Sequence, residues 1–113
     1  MQKRFIVPTK NETGLINGYW EHYINGKLES KGNYVNGLKN GYWEFYDING
    51  EILFKGNYTN GIENGLHEYY WRNNKLYFKG NYVNGNRDGI WEYYKMNGEL
   101  FKTTNYKNGV ILY

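Results

Sequence analysis

Cysteine is absent from the 113 residues, which excludes disulfides, thiolate nucleophiles and thiolate-bound metals and leaves the redox compartment undefined. Serine occurs once, at Ser30, and histidine twice, at His22 and His67, so a nucleophile with a neighbouring base has few residues to be built from. Proline also occurs once. Pro8 stops a short extended candidate, Arg4 to Val7, that reads as a cap or edge strand. The apolar part of that segment, Phe5-Ile6-Val7, is far too short for a signal-peptide core or a membrane span, and a soluble cytoplasmic protein is expected. A strong excess of one charge is missing too: 14 basic against 11 acidic residues give +3, too little to imply nucleic acid by itself.

What the chain has instead is rings, glycine and asparagine: 14 Tyr, 4 Trp, 5 Phe, 15 Gly and 18 Asn. The strict spacing of Gly and Asn argues for turns at fixed places and against disorder. Gly41 to Asn64, GYWEFYDINGEILFKGNYTNGIEN, has an earlier copy in Gly18 to Asn40 and later copies in Gly65 to Asp88 and Gly89 to Leu112, with a half copy at Asn11 to Asn17. A period of 23 to 24 residues over nearly the whole chain is a repeat architecture. The chain reads as a single repeat domain, 1–113, with an N-terminal edge or half repeat at 1–17 and units at 18–40, 41–64, 65–88 and 89–112.

Two apolar runs in each unit are separated by Asn-Gly pairs of the kind that close hairpins. Asn25-Gly26, Asn49-Gly50, Asn73-Asn74 and Asn97-Gly98 occupy one turn, and the single replacement of Gly is by Asn, the next residue most tolerant of positive φ. The first unit has one residue fewer here, which predicts a two-residue hairpin in that unit and a three-residue turn with a bulge in the others. Asn36-Gly37, Asn60-Gly61, Asn84-Gly85 and Asn108-Gly109 form the second turn. No helical periodicity is present. The fold class expected is all-β: a single-layer antiparallel β-meander of repeated β-hairpins, elongated and curled, with about eight to ten strands and a length of roughly 40 Å.

Continuing the pairing from the hairpin turn without interruption sets Tyr46 opposite Ile52, Glu44 opposite Phe54 and Tyr42 opposite Gly56 on one face. Phe45 opposite Leu53 and Trp43 opposite Lys55 then fall on the other. A one-residue slip would exchange these sets. On this register Tyr23, Tyr46, Tyr70 and Tyr94 form the better-buried face, with Gly32, Gly56 and Gly80 seating rings and Glu21, Glu44, Glu68 and Glu92 near a rim. The opposite face carries Trp20, Trp43, His67 and Trp91 beside Lys31, Lys55 and Lys79, together with Phe45, Tyr69 and Tyr93. Ring-over-lysine contacts there would contribute roughly 0.5–1 kcal/mol each. These ten residues are the candidate partner-binding set.

Enzymatic constellations are poorly supported. Ser30 stands in a slot held by Phe54 and Phe78, His22 in the slot of Phe45, and His67 in the slot of Trp43, so each reads as drift within a repeat. The two histidines lack further metal ligands on their own face. Equivalent glutamates two strands apart stand roughly 10 Å from each other as a consequence of repetition. The expectation is a protein that is not an enzyme, with no catalytic, metal or cofactor site.

The units share the pattern G-x-W-E-x-Y-x-x-N-G-x-L-x-x-K-G-N-Y-x-N-G. It resembles the MORN repeat (membrane occupation and recognition nexus), in the variant of bacterial proteins of the YwqK antitoxin type, over roughly Gly14 to Leu112. The resemblance implies a long meander of hairpins with rings packed on glycines, and a scaffolding or partner-binding role, with lipid binding also attributed to the family. Trp occupies the third position where many MORN units have Gly, and Thr103 and Thr104 replace Lys and Gly in the fourth unit, so no lipid-contact residue is carried over. The function expected is a non-catalytic protein-binding module, of the kind serving as antitoxin, immunity protein or viral or phage inhibitor. It would grip its partner through the Trp/Lys face or through the open edge Val110-Ile111-Leu112-Tyr113, where a second copy could also pair to give a homodimer. The alternative is a binder of anionic membrane lipid or nucleic acid that works through Lys31, Lys55 and Lys79.

Overall fold

Residues 9–113 are described by the computed structural model, and the Arg4–Val7 segment lies outside them. Ten antiparallel strands form one open sheet in sequence order. They are β1 (Thr9–Lys10), β2 (Ile16–Ile24), β3 (Lys27–Val35), β4 (Leu38–Tyr46), β5 (Ile52–Thr59), β6 (Ile62–Tyr70), β7 (Leu76–Val83), β8 (Asn86–Tyr94), β9 (Leu100–Lys107) and β10 (Val110–Leu112). The extents are 48 × 35 × 14 Å. The first is what ten strands stacked at about 4.8 Å produce, and the last leaves room for one layer only. The all-β single-layer meander read from the sequence is the fold of the protein, without helices among the described residues.

Turn chemistry explains the strand boundaries. Asn25-Gly26 has both residues left-handed (φ 51° and 77°), as does Asn60-Gly61 (50° and 81°), the backbone of a two-residue type I′ hairpin. The other turn has a single left-handed residue, Gly50 (φ 83°), Asn74 (65°) or Gly98 (93°). There the Asp47 amide donates to the Glu51 carbonyl at 2.8 Å and the Gly50 amide to the Asp47 carbonyl at 3.0 Å, a three-residue loop as the residue count implied. The Asp47 carboxylate accepts from the amides of Asn49 and Glu51, fixing the turn from within. The strands extend up to the Asn-Gly turns. β4 begins at Leu38 and runs through Gly41, whose φ of 88° lets the strand bulge where Gly32 pairs with Trp43 but Tyr34 with Lys39.

The expected register fails one step from the hairpin turn. Tyr46 does face Ile52, but Phe45 faces Phe54, Glu44 faces Lys55 and Trp43 faces Gly56, with the shift lying between Phe45 and Tyr46. Leu53 is the extra residue of a β-bulge. The same shift recurs between His22 and Tyr23, Tyr69 and Tyr70, and Tyr93 and Tyr94. Three consecutive apolar residues, Ile52-Leu53-Phe54, give no alternation by which the bulge would show in the sequence. Its effect is to move every glycine and lysine of the second strand to the face opposite the one expected. Glycines now share a face with Trp43, His67 and Trp91; lysines share the other with glutamates.

Each ring leans back over the glycine of the preceding strand. A Cβ built on Gly32 would lie 2.2 Å from the Trp43 ring, one on Gly56 2.1 Å from His67, and one on Gly80 2.2 Å from Trp91. Because the lean is backward, the strand after Trp91 can hold Thr104 in the glycine slot, where it pairs with Trp91. Neighbouring units are also tied at the Asn-Gly turns, where the amides of Gly37, Gly61 and Gly85 donate to the carbonyls of Ile16, Lys39 and Glu63. Gly80→Ala is expected to destabilise the fold by about 3 kcal/mol or more, since the methyl group displaces a fully buried indole. A urea titration followed by tryptophan fluorescence measures it, and a loss below about 1 kcal/mol would show that the ring does not depend on this seat.

Candidate functional site

The ring face is closed by its own side chains. Trp43, His67 and Trp91 are fully buried between the glycine below and a tyrosine above. Tyr34 meets Trp43 edge-on at 4.9 Å, Tyr58 meets His67 at 5.2 Å, and Tyr82 meets Trp91 at 5.0 Å. Their ring N–H groups donate to strand carbonyls: Trp43 Nε1 to Asn33 at 2.9 Å, Trp91 Nε1 to Asn81 at 3.1 Å and His67 Nε2 to Asn57 at 2.8 Å. Phe45, Phe54, Tyr69 and Phe78 stack beside them at centroid spacings of 4.3, 5.2 and 4.3 Å. Lys39 lies 5.3 Å from the Trp43 ring and Arg87 4.5 Å from that of Trp91, cation–π lids on the two indoles.

This arrangement dissolves the Trp/Lys face. Trp43, His67 and Trp91 form the core of the sheet and offer a partner nothing to touch. Trp20, Phe45, Tyr69 and Tyr93 are half-buried in the same stack, whereas Lys31, Lys55 and Lys79 point to the opposite side. The cations over the indoles come from the slot of Lys39 and Arg87. Lys31 and Lys55 lie instead near the rings of Tyr46 and Tyr70, at 5.9 and 5.6 Å. The physical cause is the bulge, which changes the side of Lys but not of Trp.

The junction of the second and third units departs from the others in a coordinated way. His67, in the third unit, replaces Trp, and Glu63, near the end of the second, stands in the slot of Lys39 and Arg87. Since Asn57 offers a carbonyl, His67 carries its proton on Nε2, leaving Nδ1 buried without a hydrogen-bond partner above Gly56. Burial holds the imidazole below its ordinary pKa, although the Asn57 carbonyl and Glu63 act in the other direction.

On the opposite face the charges form one ladder across seven strands. Glu21 pairs with Lys31, Lys31 with Glu44, Glu44 with Lys55, Lys55 with Glu68, Glu68 with Lys79 and Lys79 with Glu92. The closest contact is Lys31 Nζ to Glu44 Oε2 at 3.6 Å. Tyrosines one residue pair away donate to these carboxylates: Tyr19 and Tyr23 to Glu21, each at 2.8 Å, Tyr42 to Glu44 at 3.1 Å, Tyr46 to Glu44, and Tyr94 to Glu92. Partial burial raises the Glu44 pKa, but the hydroxyls of Tyr46 and Tyr42 together with Lys31 outweigh it and hold the carboxyl below its usual range. Burial first, and then the carboxylate acceptor, push the Tyr42 phenol up to about 12.

Beside this ladder, toward the Asn-Gly turns, runs a strip that sequence reasoning missed. Val35 and Leu38 are paired on this face, as are Thr59 with Ile62 and Val83 with Asn86. Tyr19, Tyr42, Leu66 and Ile90 follow along the even strands, each immediately before the buried ring slot. All of the large apolar members are exposed, from 39% at Tyr19 to 55% at Ile90. The stacked rings Phe45, Phe54, Tyr69 and Phe78 are all less exposed. The signal was present: the residue between the unit's first Gly and its Trp or His is apolar in every unit. No family model matches the chain, and no curated protein has significant similarity to it.

His67→Trp is expected to stabilise the protein by about 1 kcal/mol, through added apolar burial on a glycine seat that already accepts indole at Gly32 and Gly80. It should also change the pH profile. With the native His67 the folded pKa is lowered, so the unfolded chain binds more protons once pH falls below about 6.5. Stability is therefore highest above that pH and declines below it, and the decline should be shallower in His67→Trp. Urea midpoints at pH 7.5 and pH 5 (roughly one unit or more either side of the free imidazole value) check both statements, and equal slopes would show that His67 protonates without resistance.

Proposed function

We propose that this protein is a non-catalytic, protein-binding repeat module of MORN type that acts by gripping a partner with the apolar strip beside its charge ladder. The observation that supports this most is the asymmetry between its two faces. One side covers its rings with tyrosines and cations; the other exposes a row of apolar side chains running across the sheet. An exposed strip of this length, in which Tyr19, Tyr42, Leu66 and Ile90 alternate with Asn33, Asn57, Asn81 and Asn105 beside the turn-side row of Val35, Leu38, Thr59, Ile62 and Val83, marks an interaction surface in a single-layer protein. The rings and branched side chains of Tyr19, Tyr42, Leu66 and Ile90 supply anchors, and the ladder supplies a polar rim. Repetition makes the surface extendable, because each unit adds one more anchor at the same height. An antitoxin, immunity or inhibitor role follows the sequence resemblance and needs no reactive group, only a large surface held rigid.

A lipid or nucleic-acid surface draws less support, since each of Lys31, Lys55 and Lys79 lies between two glutamates, and opposite charges this close cancel beyond a Debye length. The test is capture from a lysate of the source organism by the immobilised wild-type protein and by Leu66→Glu, at low and high salt. A protein retained by the wild type at both salt levels and lost with Leu66→Glu is expected. Identical retention by both forms would reject the strip, and binding confined to low salt and anionic vesicles would favour the lysine reading.

A further inference from the structure

We propose that the ring face carries a small-molecule site at the junction of the third and fourth units, and that it takes a flat aromatic ligand with an anionic substituent. The closure of that face by its own side chains fails here. A cleft of about 550 Å³ opens between the two units, at the end nearer the three-residue turns, and lies within the roughly 300–1,000 Å³ of ligand sites. Trp71 forms one wall. Its indole stacks on Tyr77 with centroids 3.8 Å apart and its Nε1 donates to the Tyr94 carbonyl at 3.2 Å, which holds the ring between the two units. Phe101, Lys95 and Lys102 line the cleft from the fourth unit together with Tyr93, whose ring centroid lies 5.2 Å from Lys102 Nζ.

Four residues differ here from their counterparts at the junction one unit earlier. There Asp47 and Leu53 stand in the places of Trp71 and Tyr77, and Trp71 and Phe78 in those of Lys95 and Lys102. Phe78 stacks on Tyr69 at 4.3 Å and continues the row of rings, whereas Lys102, paired with Tyr93, ends it. Tyr77 has Trp71 over it and is 38% exposed; Phe101 has Lys95 in that place and is 63% exposed. Stacked rings from one unit thus face two ammonium groups from the next.

The charge of the cleft selects the sign of its ligand. No acidic residue lines it, and neither Lys95 nor Lys102 is held in an ion pair. Glu68 and Glu92 belong to the ladder on the opposite face, and Glu99, in the adjoining turn, gives its carbonyl to the Lys95 amide without pairing with the ammonium. Two cations without a counter-ion beside apolar walls attract an anion more strongly than they would on an open surface. The exposed rings call for a flat partner, because offset or edge-on aromatic contacts add to the area buried. A ring bearing an anionic group meets both demands, its face against Trp71 or Phe101 and its charge on Lys95 and Lys102. The cleft lies on the face opposite the apolar strip, so it stands or falls independently of that strip's role.

Titration with naphthoate tests the proposal, followed through the indole N–H signals of the four tryptophans in proton–nitrogen correlation spectra, with Trp71→Phe identifying the Trp71 signal. That signal is expected to shift saturably while those of the buried Trp43 and Trp91 stay in place. Naphthamide, the same ring without the charge, is expected to bind about tenfold or more weakly. Lys95→Gln combined with Lys102→Gln should lower naphthoate affinity by about tenfold and leave naphthamide within about twofold. Lys102→Phe puts back the residue type of the Phe54 and Phe78 slot, and is expected to continue the ring row into the cleft and abolish binding of both probes, with an unchanged circular dichroism spectrum. A Trp71 signal that does not move at several millimolar naphthoate overturns the site. So does an equal shift of all four indoles, which is adsorption without a site. Equal affinity for naphthoate and naphthamide, or naphthoate binding indifferent to loss of both lysines, overturns the anionic class of ligand.

Discussion

An aromatic ring resting on the bare backbone of a glycine one strand earlier is the contact on which this protein depends. A sheet one layer thick has no opposing layer to bury side chains against, so the apolar area removed from water must come from within the face itself. Leaning each Trp43, His67 and Trp91 backward over Gly32, Gly56 and Gly80 achieves this. The missing Cβ brings the ring down to the backbone, the ring nitrogen satisfies a strand carbonyl, and a tyrosine from the same strand as the glycine closes the top. Ring and glycine belong to different strands, and for Trp43, His67 and Trp91 alike the glycine comes from the preceding unit, so the contact joins units rather than stabilising one alone. That is the nearest-neighbour coupling that lets a repeat array fold without a central core.

The same arrangement creates the difference between the faces. Where rings, tyrosines and cations enclose one another, little is left for a partner. The other face receives the residues that the first does not use: glutamates and lysines at mid-strand, where cross-strand register alternates their sign, and apolar residues near the Asn-Gly turns, where consecutive turns stack and leave side chains standing in solvent. The tyrosine hydroxyls that donate to Glu21, Glu44 and Glu92 stabilise the ladder as a fixed pattern of charge. A fixed pattern can discriminate between registers of an approaching surface, whereas the apolar strip beside it supplies area without direction.

Repeat period, strand number, turn types and the meander itself were legible in the chain because each follows from local rules: Asn-Gly pairs need left-handed φ, and their spacing sets strand length. Even the replacement of Gly50 by Asn74 in the equivalent turn could be read, since φ at that site is positive in both. The candidate surface was read less well. Trp43 was expected outside and Tyr46 inside, and Lys55 was expected beside Trp43, when it pairs with Glu44. One unpaired residue, Leu53, accounts for all of it, because side chains alternate with a period of two and one insertion moves everything beyond it to the other side.

The sequence by itself therefore determined the architecture, because turns and strand lengths are set within a few residues. Only the tertiary structure decided which side of the sheet is core and which is surface. That choice rests on the pairing register between strands, where Ile52-Leu53-Phe54 offers the bulge no local signature and the packing of Trp43, His67 and Trp91 onto glycines distinguishes one register from the other.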